Sequence, residues 1–168
     1  MMVKIVIPLT FPGLNDYINA ERSHRQKAAK MKKQYQDAVM LFIRHQIPNR
    51  FDGPVYMYYT WVEKDRRRDK DNIAAFGRKV IQDALVKDGV LKNDGWANIT
   101  GFSDAFAVDK DEPRVEVIIV DTLSECKYAR RDGMCAEYEG CGCVGPFLCR
   151  KRKPVENHVE GEEDENCT

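Results

Sequence analysis

The stretch RRRDKDNIAAFGRKVIQDALVKDGVLKND, residues 66–94, decides how this chain is read. Its middle places Ile73, Phe76, Val80, Ile81, Ala84 and Leu85 at three- and four-residue spacings, which puts apolar side chains on one face of a helix. A helix over residues 72–87 is predicted, with Asp71 able to cap its start and Gly89 able to end it. Just upstream, residues 54–63 carry Val55, Tyr56, Tyr58, Tyr59, Thr60 and Val62. β-branched and aromatic residues in that density favour a strand. The charged run 64–70 leaves the end of that strand and leads into the helix.

Outward from this unit, residues 3–9 alternate well enough for an opening strand, and Pro12, Gly13 and Asn15 supply a loop. Residues 20–46 contain neither Pro nor Gly and repeat apolar positions at Ala28, Met31, Tyr35, Ala38, Val39, Phe42 and Ile43. They predict one long amphipathic helix that stops at Pro48. Residues 99–108 and 114–120 read as strands paired with each other. The predicted fold is α+β, a mixed sheet packed against two main helices in the order β-α-β-α-β-β. Three segments are expected: residues 1–121 as the folded domain, 122–155 as a Cys-rich segment, and 156–168 as an acidic, disordered tail.

Composition narrows the class. A chain of 168 residues with 43% hydrophobic content can bury one ordinary core. Its mean hydropathy is −0.55, and it holds no run near the roughly 18 apolar residues of a membrane span, so a cytosolic protein is expected. The formal net charge of zero conceals a segregation: residues 1–121 carry 20 Lys+Arg against 17 Asp+Glu, and residues 122–168 carry 7 against 10. The basic excess concentrates in residues 21–50, where Arg22, Arg25, Lys27, Lys30, Lys32, Lys33, Arg44 and Arg50 face only Glu21 and Asp37. A stripe of this kind suits a polyanion, and it also fits a solvated helix face.

Asp69 and Asp71 lie one residue apart between a strand end and a helix start, so an extended backbone points both to the same side. Asp94 follows the helix, where the chain must return to the sheet. Three carboxylates in one place repel without a cation, whereas Mg²⁺ takes hard oxygen ligands and is often held by one or two carboxylates, waters and substrate phosphate. Such a site hydrolyses phosphodiesters, with Lys79 as a point charge near the phosphate. From spacing alone the same aspartates also fit an N-cap and a solvated loop.

The run Arg67-Arg68-Asp69-Lys70-Asp71-Asn72-Ile73, then Lys79, Asp83-Ala84-Leu85 and Gly89-Val90-Leu91-Lys92-Asn93-Asp94, resembles the signature of the RusA family of Holliday junction resolvases. Residues 3–15 resemble its opening strand and loop, and residues 113–117 its closing strand. The resemblance covers about residues 1–121. It implies a homodimeric endodeoxyribonuclease that cuts two opposed strands of a four-way junction in recombination and repair. It further implies Mg²⁺ or Mn²⁺ on Asp69, Asp71 and Asp94, with Lys79 assisting. One departure stands out: the 12 residues from Asp71 to Asp83 exceed the usual family spacing by about one helical turn. Arg78 therefore competes with Lys79 for the catalytic register, and Lys79 is preferred.

DNA contacts are expected from Arg22, Arg25, Lys27, Lys30, Lys32 and Lys33, together with Arg66, Arg67 and Arg68. Tyr17, Trp61 and Trp96 suit either stacking on an exposed base or packing. All six cysteines lie beyond residue 125; Cys126, Cys135, Cys141, Cys143 and Cys149 offer thiolates for Zn²⁺, though a loose reduced segment fits equally. The basic run 150–153 adds a further DNA or partner contact. Two rival readings remain: a nuclease for other branched DNA such as flaps and forks, and a non-catalytic DNA-binding or adaptor protein acting through the Cys-rich tail.

Overall fold

The computed structural model of the chain describes residues 1–137, 145 and 149. Its elements are β1 (Met2–Ile7), α1 (Leu14–Ser23), α2 (Arg25–Gln46), β2 (Val55–Glu63), α3 (Lys70–Lys87), β3 (Ile99–Val108), β4 (Arg114–Asp121) and the short α4 (Thr122–Glu125). The four strands form one mixed sheet in the order β1-β4-β2-β3. The fold is α+β, as the sequence predicts.

β2 is the central strand. It runs antiparallel to β4, with Tyr59 opposite Val117 and Trp61 opposite Val115, and parallel to β3, with Tyr59 opposite Asp104. Val55, Met57, Tyr59 and Trp61 alternate onto one face of the sheet and are buried against Val39 and Ile43 of α2 and Phe76, Val80, Ile81 and Leu85 of α3. The opposite face carries Tyr56 and Tyr58, and a Cβ on Gly145 would come within 2.9 Å of the Tyr56 ring and 2.8 Å of the Tyr58 hydroxyl. Gly145 therefore lies against the outer face of β2. Tyr59 bridges layers: its hydroxyl donates to Met57 Sδ at 3.2 Å, and Gln82 Nε2 donates to that hydroxyl at 3.4 Å.

Helix α3 ends as predicted. Gly89 has φ of 76°, Gly89 N donates to Val86 O at 3.0 Å, and Val90 N donates to Leu85 O at 2.9 Å. These are the two bonds of a Schellman motif, which needs a left-handed residue where glycine stands.

Three expectations are corrected. The predicted helix over 20–46 is two helices meeting at His24, whose φ of −163° is extended, and α1 begins within the predicted loop. His24 N closes α1 on Ala20 O, so the break needs neither Pro nor Gly. The strands over 99–108 and 114–120 are not partners; β2 lies between them and pairs with both, because α3 returns the chain to the edge beside β2 and the connection after β3 then passes β2 to reach β4. Asp71 does not cap α3: Asp69 holds the N-cap position, and its side chain makes no capping bond.

No described helix is long and apolar enough to cross a membrane. Cys141, Cys143, the basic run 150–153 and the acidic segment 156–168 lie outside the described residues. Of the other expected zinc ligands, Cys126 is buried, while Cys135 and Cys149 are half-buried and also free thiols.

Candidate active site

Two of the exposed carboxylates, Asp69 and Asp71, flank the start of α3. Asp69 is extended, with φ of −68° and ψ of 148°, and the helix begins at the next residue. The two aspartates therefore do not share the side of one extended strand; they flank the helix start, one outside it and one in its first turn. Both are exposed, and neither side chain makes a hydrogen bond or ion pair among the described residues. Helix N-termini expose unpaired N–H groups and carry partial positive charge, which favours carboxylates and phosphates there.

The neighbouring residues of the same run lock a second chain segment onto this spot. Asn72 Oδ1 accepts from Asn15 N at 2.9 Å, and Arg68 Nη1 donates to Phe11 O at 2.7 Å. A Cβ on Gly13 would lie 2.6 Å from the Asn72 amide nitrogen, so only glycine admits this approach. Gly13 N in turn donates to Asp16 Oδ2 at 2.9 Å, which begins α1. The N-termini of α1 and α3 thus converge on one side chain, Asn72. Arg68 also pairs with Glu63 at the end of β2, at 2.5 Å.

Farther along α3, Lys79 Nζ lies 2.7 Å from Asp94 Oδ2 and 2.7 Å from Asp83 Oδ1. Lys32 of α2 reaches Asp83 from the other side at 2.6 Å, completing a chain of alternating charge, Lys32–Asp83–Lys79–Asp94. Hydrogen bonds to Asp83 and then Asp94 hold the Lys79 ammonium above its ordinary value of 10.5. The same ammonium holds the Asp94 carboxyl below its ordinary 3.8. Both groups are charged across the neutral range. Arg78 is engaged elsewhere: it pairs with Asp104 at 3.2 Å, and its guanidinium lies 4.2 Å from the centre of the Phe102 ring. Asp104 also accepts from Trp61 Nε1 at 2.8 Å.

The structure brings Lys79 and Asp94 together, but among the described residues no group of three or more His, Cys, Asp or Glu side chains is gathered to hold a metal ion. Eight residues separate Asp71 from Lys79, so the helix places their backbones about 12 Å apart. Asp94, tied to Lys79, is drawn toward the middle of α3 and not toward its start.

Of the expected DNA contacts, Arg22, Arg25, Lys27, Lys30, Lys33, Arg66 and Arg67 are exposed. Lys32 is half-buried on Asp83, and Arg68 is half-buried on Glu63 and Phe11. A cleft of about 380 Å³ beside the run is lined by Glu63, Asp65, Arg66, Arg68, Lys70 and Phe106, among others. Trp61 is buried, and Tyr17 packs on Phe76 with ring centres 5.0 Å apart, so neither offers a free face like that of Trp96. In the sequence, Gly13 has only a place in a loop and Asp83 only a place in the family-like run, with no partner for either. The Lys79–Asp83 spacing of four was a readable signal; the docking of Gly13 on Asn72, 59 positions away, left none.

A family model described as Endodeoxyribonuclease RusA matches residues 10–120, more than half of the chain. No curated protein matches it.

Proposed function

The chain belongs to the RusA endodeoxyribonuclease family, and from that premise we propose that it resolves four-way DNA junctions by paired, divalent-metal-dependent phosphodiester cleavage, acting as a homodimer in the cytosol. The observation that carries the proposal is the pair of exposed carboxylates, Asp69 and Asp71, without side-chain partners among the described residues, at the point where the family match has its most charged run. Two-fold symmetry suits a substrate with two equivalent strands to cut.

The donor set fits Mg²⁺ or Mn²⁺. Both ions take carboxylate oxygen, and Mg²⁺ keeps several waters while using few protein ligands. Asp69 and Asp71 would hold the ion; the family resemblance adds Asp94, which here is paired with Lys79 and would have to leave that pairing to join them. When bound, the ion lowers the pKa of a coordinated water and neutralises charge on the phosphoryl oxygens.

The chain's own residues do the remaining work. Lys79 is cationic at neutral pH and offers donors to a phosphate oxygen once DNA competes with Asp94 for it. Arg66 and Arg67 present exposed charge beside the aspartates for backbone phosphates, and Arg22, Arg25, Lys27, Lys30 and Lys33 extend that surface along α1 and α2. Arg68 and Asn72 hold the 11–15 segment against the start of α3, so they fix the place of Asp69 and Asp71 without touching DNA.

The test is cleavage of a synthetic immobile four-way junction with each strand labelled in turn. Symmetric nicks in opposed strands with Mg²⁺, and none with EDTA, support the reading. Nicks confined to one strand, a preference for flaps or forks, or cleavage that survives EDTA overturn it.

A further inference from the structure

Trp96 is 93% exposed, whereas the other tryptophan, Trp61, is 1% exposed. An indole is the side chain that gains most from leaving water, so a wholly exposed one needs a reason.

Its mount is firm. Gly95 N donates to Asn93 Oδ1, and Gly95 O accepts from both Asn98 N and Ile99 N, each at 2.9 Å. Gly133, with φ of 82°, approaches so closely that a Cβ there would sit 2.7 Å from the Trp96 carbonyl oxygen. Beside the indole is a cleft of about 320 Å³, lined by Gln82, Asp94, Phe102 and Thr100 among others. Arg78 lies over the Phe102 ring and fixes that wall. Gln82 is 9% exposed; its amide nitrogen reaches Tyr59, and its amide oxygen makes no hydrogen bond among the described residues.

We infer that this cleft receives one unpaired nucleobase of the branched DNA, stacked on the Trp96 indole. The inference rests on the nuclease reading above, because it is Asp94 that joins the cleft to Lys79 and so to the scissile phosphate. Three features select a base over a partner protein. The volume lies at the small end of the range for small-molecule sites, room for one heterocycle. The lining combines a free aromatic face with hydrogen-bonding groups, the pairing that reads extruded bases. Lys79, held on Asp94 at the cleft wall, brings positive charge that a sugar-phosphate backbone satisfies.

With only two tryptophans, one buried, fluorescence reports on Trp96 directly. The full-length protein is titrated in EDTA with an unlabelled four-way junction and with a blunt duplex of equal length, while anisotropy of labelled DNA measures binding. Junction binding quenches the exposed-indole emission, and duplex binding leaves it nearly unchanged. Trp96→Ala weakens junction binding about 5- to 150-fold and leaves duplex binding unaltered; Trp96→Phe restores most of the loss. Junction bound without quenching, equal quenching by duplex, or wild-type affinity in Trp96→Ala overturns the inference. Quenching without Mg²⁺-dependent cleavage upholds the base site while the nuclease reading fails; cleavage without quenching does the reverse. No binding of either DNA overturns both.

Discussion

Lys79 Nζ donates to Asp94 Oδ2 at 2.7 Å, so the helix lysine and the carboxylate that follows the helix are already joined. The contact fixes where the return loop sits on α3, and Asp83 and Lys32 extend it into a four-residue chain of alternating charge between α2, α3 and that loop.

That pair sets a pH dependence. The raised Lys79 value means its stabilisation is complete below 10.5 and is lost as pH rises through the folded value. The lowered Asp94 value means its stabilisation is present above 3.8 and is lost as pH falls through the folded value. Urea denaturation of wild type and Lys79→Met should therefore differ by a constant amount between about pH 5 and 9, within about 1 kcal/mol because Lys79 is mostly exposed. Junction cleavage by Lys79→Met should fall about a hundredfold over the same range. A stability difference that titrates near neutrality contradicts this assignment.

Gly13 and Asn72 should be energetically coupled. Gly13→Ala displaces the Asn72 amide and breaks its bond to Asn15 N, destabilising the fold by about 1 kcal/mol. In an Asn72→Ala background the same change should cost almost nothing. A double-mutant cycle by chemical denaturation measures the coupling, and strict additivity rules it out.

Gly77 faces Trp61 across the core. An added Cβ would lie 2.7 Å from the Trp61 ring and 3.1 Å from Phe11, both rigid and buried. Overpacking costs about 1–3 kcal/mol, more than the roughly 1 kcal/mol that alanine gains over glycine in a helix. Gly77→Ala should lower the melting temperature; a rise would show that the rings yield.

The three consecutive arginines should divide by role. Arg66→Gln and Arg67→Gln should each reduce the slope of log affinity against log salt by about 1 while leaving stability unchanged. Arg68→Gln removes a charged bond to Phe11 O and the pairing with Glu63, so it should destabilise the protein by about 1.5–3 kcal/mol. Salt titrations of junction binding, paired with melting curves, separate the two classes.

Where apolar periodicity was strong, the sequence spoke clearly. The stripe from Ile73 to Leu85, the aromatic run of β2 and the glycine at the end of α3 all read correctly, because each encodes local geometry. The break at His24 did not, since an extended residue there is held by α1 closing on Ala20 and not by a helix-breaking residue. The separation of β3 from β4 was equally hidden, because strand order depends on which side of β2 the chain returns to. At the site, residue types were legible and mutual distances were not. The extra turn within α3 reads as a spacing of 12 residues, yet only the structure shows that Asp94 travels with Lys79 to the middle of the helix.

The most direct measurement is the single-turnover rate at which Asp71→Asn cuts a four-way junction in saturating Mg²⁺, relative to wild type. Asp71 makes no side-chain hydrogen bond or ion pair among the described residues, so the substitution should lower the melting temperature only slightly, through the lost helix-dipole attraction. The account predicts a loss of about a hundredfold or more with junction affinity retained. A variant that cuts at the wild-type rate would contradict it.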